Sequence, residues 1–237
     1  MAMILAHFLA AYLVLAAPWL GRYWYEKARK RIQFREPNAK LHLYRALVVE
    51  QVVSSAAILA FWRLGQIPAA SLGLCATRFW HWTTLAMLAL VAVLIWSGLK
   101  LRPKADKIRE KLRNGIGLLL PDTTSERSWF ARISLGAGIS EELAYRGFLI
   151  YYLSTYLPQL NTPEKVVLSG LVFGLGHLYQ GWKGVIGTGL GGLVFAVLYV
   201  STGSLLVPMV VHAVLDLRVL LILPPNEPQA LPAEVSA

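Results

Sequence analysis

Residues 3–21, MILAHFLAAYLVLAAPWLG, contain no Asp, Glu, Lys or Arg, and similar charge-free runs recur at 82–99 and 184–201. A run of about 20 mostly apolar residues matches the thickness of a bilayer core when coiled as a helix. Backbone groups inside lipid must be satisfied within the protein, as they are in a helix. The chain therefore reads as an all-α, polytopic transmembrane bundle. Its composition agrees: 56% of the 237 residues are hydrophobic and 15% charged, too apolar for an ordinary soluble domain.

Further spans are expected near 44–62, 164–181 and 205–223. "DTTSERSWF" (122–130) places Thr123 and Glu126 at capping-box spacing, so a long helix is expected to open there and run to about 157. That makes about seven spans, with six to eight as the bounds. Pro158 and "NTPE" mark a tight turn between the fourth and fifth. The stretch 100–121 alternates basic and apolar residues, as in an amphipathic helix lying on the membrane surface. The chain divides at this level into 1–121, N-terminal helices and basic loops; 122–223, a membrane core; and 224–237, a Pro-rich tail read as disordered. Span one is read as uncleaved, because no basic residue precedes it and a dense basic cluster follows. No internal repeat of the transporter kind is visible.

The formal net charge of +10 does not point to nucleic acid, because of where the charge lies. Eight basic residues fall between Arg22 and Arg45 and eight between Lys100 and Arg127, sixteen of the 23 in the chain. Basic loops between spans are the positive-inside signature, and they can touch anionic lipid. The reading is an integral protein of a bacterial inner membrane, N-terminus outside, both basic loops cytoplasmic. The single cysteine, Cys75, excludes an internal disulfide and a cysteine metal cluster, and falls in an outer loop.

Against this background, charges at membrane depth are costly and mark function or helix contacts. They are Glu50; Glu141, Glu142 and Arg146 in "GISEELAYRGF"; His177 in "FGLGHLYQG"; and His212 with Asp216 in "PMVVHAVLDL". His7, His42 and His81 lie near span ends and read as interfacial. Glu142 and Arg146 are four apart and share a helix face, so they can pair. Glu141 lies on another face and lacks a local cation, which suits a carboxylate to proton transfer near neutral pH. Phe173 and His177 share a face, as do His212 and Asp216. Asp216 could orient His212, or both could point at a common ligand. Two histidines and a carboxylate could hold zinc with an open position, although the two-histidine i, i+4 spacing of helical zinc proteases is absent. The other choice is metal-free: Glu141 as general base on a water, helped by His177, with His212 donating to an oxyanion. No GxSxG elbow competes.

Glu-Glu-x-x-x-Arg, Phe-x-x-x-His and His-x-x-x-Asp, in that order on successive membrane helices, resemble the CPBP family. It comprises type II CAAX prenyl proteases (the Ras-converting enzymes) and bacteriocin-processing or abortive-infection-like proteins. The resemblance covers about 125–220, and "GSLLVPMVVHAVLD" is similar to the family's final helix. It implies an intramembrane glutamic endopeptidase without a metal cofactor. Its substrate would be a peptide or a membrane-tethered protein. Glu141 would activate water with His177 as partner, His212 would serve the oxyanion, and Glu142, Arg146 and Phe173 would support them. Asp216 falls where the Ras-converting enzymes have asparagine. This weakens any inference of CAAX substrate preference, because an ionised aspartate cannot donate to an oxyanion. Two other classes fit the composition: a non-catalytic membrane module, such as an immunity or scaffold protein, and a proton-coupled transporter using Glu141, His177 and His212 as a relay. The intact motif set favours the endopeptidase. Reporter fusions after Lys40 and after Asp106 are expected to report cytoplasm; a periplasmic signal from either would overturn the positive-inside reading.

Overall fold

The computed structural model describes residues 2–74, 82–112 and 117–224, and all its regular structure is helical. His81, Cys75 and the tail beyond Pro224 lie outside the described residues. Seven helices follow one another. α1 spans Ala2–Gln33 and contains a π turn at Tyr12–Ala16. α2 is Ala39–Leu64. α3 is Trp82–Leu101, which continues through a 3-10 turn into Ala105–Leu112. α4 covers 124–156 without a break, with a π segment at Leu143–Leu149. α5 is Thr162–Gly176, α6 Gly181–Thr202 and α7 Leu206–Ile222.

Among the described residues, seven helices are found where about seven spans were expected, but four stretches are long and apolar enough to cross a membrane on that basis alone: Ala2–Gln33, Ala39–Leu64, Thr84–Lys111 and Leu178–Thr202. α5 has 15 residues and α7 has 17, and α4 carries the acidic and basic residues of the first motif. The apolar helices turn large side chains outward: Phe8, Leu15 and Trp19 on α1, Leu88, Val93 and Trp96 on α3, and Trp182, Ile186 and Leu190 on α6. Such continuous exposed apolar surface suits lipid rather than water.

Two boundaries differ from the sequence reading. α4 starts with half of the expected box: Thr123 Oγ1 accepts the Glu126 N–H, but Glu126 Oε2 accepts from the Asp122 N–H at 2.8 Å rather than from Thr123. A complete box opens α5, where Asn161 and Glu164 cap each other. The fifth helix then ends at Gly176 rather than 181, because His177 caps it and a 3-10 turn, Leu178–Gln180, redirects the chain.

The basic segments meet at one end of the bundle. Lys40 Nζ lies 2.8 Å from Asp122 and 3.0 Å from Glu126, and Arg109 lies 2.7 Å from Asp122. Arg127 donates to the carbonyls of Leu220 and Leu223, and Tyr44 Oη to Leu119 O. Ala105, Leu120, Ile222 and Leu223 form a small apolar cluster beneath Ile108. Ala105 and Ile108 thus face inward, while Asp106, Lys107 and Lys111 face out, giving an amphipathic helix there. At the opposite end Leu205 N–H donates to Gly73 O and His7 bonds Tyr152. His7 and His42 are exposed at these two ends.

Close helix contacts are made possible by small residues, as is usual in membrane bundles. α4 and α7 meet at Gly138, where a Cβ would lie 2.8 Å from Met209 O and 2.9 Å from Ala213 N. α5 and α6 meet at Gly174, where it would lie 2.6 Å from Val185 O. The larger core gathers Phe61, Leu143, Phe148, Phe173, Ala196 and Leu205 around the π segment of α4. Backbone cannot yield as a side-chain tip can, so Gly138→Ala is expected to cost about 1–3 kcal/mol. The check is a lowered thermal midpoint of the detergent-purified chain; an unchanged midpoint would contradict the contact.

Candidate active site

The second glutamate of the pair is at the centre of the arrangement. Glu142 and Arg146 are both fully buried, and Arg146 Nη1 donates to Glu142 Oε1 at 2.9 Å. The same oxygen lies 2.8 Å from His212 Nδ1 on α7. A carboxylate can only accept, so Nδ1 carries the hydrogen. Arg146 Nη2 donates to Gly192 O on α6, also at 2.9 Å. Its guanidinium lies 4.4 Å from the Phe173 ring centre and 5.4 Å from that of Phe195. One ion pair, shut off from bulk solvent, therefore ties α4 to α5, α6 and α7.

Glu141 points elsewhere, as its place on the helix requires. Its Oε2 lies 3.8 Å from His177 Nε2 and 3.9 Å from His212 Nε2. Asp216 Oδ2 is 3.8 Å from His212 Nε2. These separations are too long for direct hydrogen bonds and suit groups that share one bridging water or one substrate oxygen. Glu141 and Asp216 keep 28% and 36% of their side-chain surface accessible, against 6% for His212. The Glu141 oxygen that faces both imidazoles, Oε2, is itself enclosed and unbonded, while the rest of the Glu141 and Asp216 side chains is accessible.

Both imidazoles are fixed by their Nδ1 atoms. His177 Nδ1 lies 2.9 Å from Phe173 O, a carbonyl one turn back, which can only accept. With Nδ1–H bonded in each ring, the two Nε2 atoms are the ones presented to Glu141. Ring packing holds the planes: Phe195 stacks on His212 at 4.7 Å and 17°, and Phe173 meets His177 at 4.7 Å and His212 edge-on at 6.0 Å. The C-cap position of His177 turns its side chain back over the last turn of α5.

Glu141, His177, His212 and Asp216 thus come together, with Glu142, Arg146 and Phe173 behind them. Of the two roles left open for Asp216, facing a common ligand fits its position; the group that orients His212 through Nδ1 is Glu142. Sequence reading missed two participants: Phe195 and the Gly192 carbonyl belong to α6, which carries no polar signal at those positions. Glu50, midway along α2, is exposed and makes no ion pair or hydrogen bond among the described residues.

Residues 123–218 match the family model described as Rce1-like, type II CAAX prenyl endopeptidase, and the match contains every residue of this cluster. No curated protein and no solved structure gives a significant match to the chain. Removing the cation of a buried pair leaves an uncompensated charge, which costs about 3–5 kcal/mol. Arg146→Gln is expected to lower the thermal midpoint accordingly. Arg146→Lys should not restore it, because an ammonium cannot reach Glu142 and Gly192 O as a planar fork. A lysine variant as stable as wild type would contradict this account.

Proposed function

We propose, for an integral membrane protein whose residues 123–218 belong to the Rce1-like type II CAAX prenyl endopeptidase family, that the chain hydrolyses a peptide bond with a glutamate acting directly on water. At family level the assignment is a CAAX-type intramembrane protease. The observation that carries the finer reading is the convergence of Glu141 Oε2 with two imidazole Nε2 atoms at 3.8 and 3.9 Å.

Each group then has one task. A water bound between Glu141 and His177 gives a proton to Glu141 as its oxygen attacks the scissile carbonyl carbon. His177 Nε2 orients that water by accepting its second hydrogen, since Nδ1 carries the ring proton. The carbonyl oxygen gains negative charge. His212 can donate to it from Nε2 only as the imidazolium, because its Nδ1–H is engaged by Glu142. Asp216 and Glu142 lie on either side of that ring and compensate its charge. When the tetrahedral intermediate collapses, the C–N bond breaks and the proton held by Glu141 passes to the leaving amine. General-base and oxyanion contributions of this kind are each worth roughly 100-fold or more. No step needs a metal.

The substrate is a peptide or the exposed segment of a membrane-tethered protein, reached from the side where Glu141 and Asp216 are accessible. We place the basic end of the bundle in the cytoplasm of a bacterial cell. The test is cleavage of a peptide library by the detergent-purified chain. Glu141→Gln is expected to lose at least about 100-fold in kcat/KM, with its fold and thermal midpoint retained. Wild-type activity should survive exhaustive chelation. Complete loss on chelation, restored by stoichiometric zinc, would refute the direct glutamate mechanism.

A further inference from the structure

Tyr145 begins the turn after Glu141, inside the π segment Leu143–Leu149. Its ring is held on several sides. Phe173 meets it edge-on at 5.1 Å and 88°, and the Arg146 guanidinium lies 5.9 Å from its centre. Its backbone carbonyl accepts from Ser169 Oγ at 3.0 Å, tying this turn to α5. The residue is 7% exposed. The Tyr145 hydroxyl makes no hydrogen bond among the described residues, and its oxygen is not one of the fully enclosed unbonded polar atoms, so it is open to a ligand.

The place where this hydroxyl sits is kept open by a missing side chain. A Cβ on Gly176 would lie 2.6 Å from Tyr145 Oη, while the nearest ring carbon would be 3.6 Å away. A real Cβ would be in collision with the oxygen and in ordinary contact with the ring. Gly176 directly precedes His177, whose Nε2 faces Glu141. The free hydroxyl therefore lies against the turn of α5 that leads into His177, whereas the donor assigned to the oxyanion, His212, comes from α7. An extended peptide advances by about 3.3 Å per residue, so a chain with its scissile carbonyl at His212 carries neighbouring backbone carbonyls past Glu141.

We infer that the Tyr145 hydroxyl, in the space left by Gly176, donates a hydrogen bond to a substrate backbone carbonyl next to the scissile bond and so sets the register of the peptide over Glu141. This rests on the peptidase reading above. The ligand class is a peptide backbone in extended form, and the contact is blind to side-chain identity. Because the bond forms on binding and persists through the reaction, its loss should appear in KM with little change in kcat.

The experiment uses the full chain in detergent and the most rapidly cleaved member of the peptide library. Tyr145→Phe is expected to keep the wild-type thermal midpoint, since no protein partner is lost, and to raise KM about tenfold, the usual worth of one neutral hydrogen bond. Gly176→Ala should impair the wild-type background by displacing the hydroxyl. In the Tyr145→Phe background it should add little, because the remaining ring tolerates a Cβ. Cleavage by Tyr145→Phe at the wild-type KM would overturn the inference and leave the peptidase reading intact. So would a loss that tracks a lowered thermal midpoint, or two single-variant losses that multiply in the double variant. If Gly176→Ala does not fold, the Tyr145→Phe arm decides alone. No wild-type cleavage of the library, or full activity in Glu141→Gln, would overturn the peptidase reading and this inference with it.

Discussion

Glu142 Oε1 receives Arg146 Nη1 at 2.9 Å and His212 Nδ1 at 2.8 Å, with carboxylate and guanidinium both shut off from solvent. A charged group so placed is tolerable only with its partners present, because the desolvation cost is already incurred. The arrangement of four helices follows from meeting that condition. α4 supplies the pair, α6 the Gly192 carbonyl, α7 the histidine, and α5 the Phe173 face that covers the guanidinium. A shift of α6 or α7 would remove a hydrogen-bond partner from a buried charge. The network thus specifies which helices meet and at what depth, a task that apolar packing alone performs poorly in lipid, where neighbouring helix and lipid tail are equally greasy.

The same network divides the labour between adjacent carboxylates. Glu142 is consumed by structure and holds the tautomer and plane of His212. Glu141, turned onto another face, is left with two imidazole nitrogens at nearly 4 Å and partial access to solvent. The proposed chemistry needs this asymmetry, since a base already satisfied by an arginine would have little reason to take a proton from water. The π segment that follows directly, Leu143–Leu149, widens the helix where the site is densest. Such segments recur at functional sites because they re-aim side chains within an otherwise regular helix.

Glycines set how closely the helices approach. Gly138 lets α7 come close enough for His212 to reach Glu142, and Gly174 brings α6 against α5 so that Phe195 can lie over His212. Exposed apolar side chains on α1, α2 and α3 form much of the lipid-facing surface, while α4, α5, α6 and α7 carry the site. At one end Lys40, Arg109, Asp122 and Glu126 join three segments that are far apart in sequence. Part of the basic charge that reads as a membrane-topology signal therefore also pins the start of α4.

What the sequence determined alone was whatever depends on short-range periodicity. Runs such as 3–21 read as membrane helices, because a helix satisfies its backbone within one continuous apolar segment. The four-residue step from Glu142 to Arg146 put both on one face, and the step from Glu141 to Glu142 separated their surroundings. The motif order and the family match over 123–218 were legible for the same reason, being local patterns in chain order. Tertiary structure decided what depends on how helices cross. The partner of His212 Nδ1 is Glu142, 70 residues away, and not Asp216 on its own helix. The Arg146 acceptor on α6 is 46 residues away, and the covering Phe195 is equally silent in the sequence. Among the described residues, three of the seven helices are not free-standing spans by length and composition: α5 and α7 are short, and α4 carries Glu141, Glu142 and Arg146. Local spacing fixes which residues share a face. It cannot fix which face meets which, since that is set by the joint burial of charges and the close approach allowed at particular glycines.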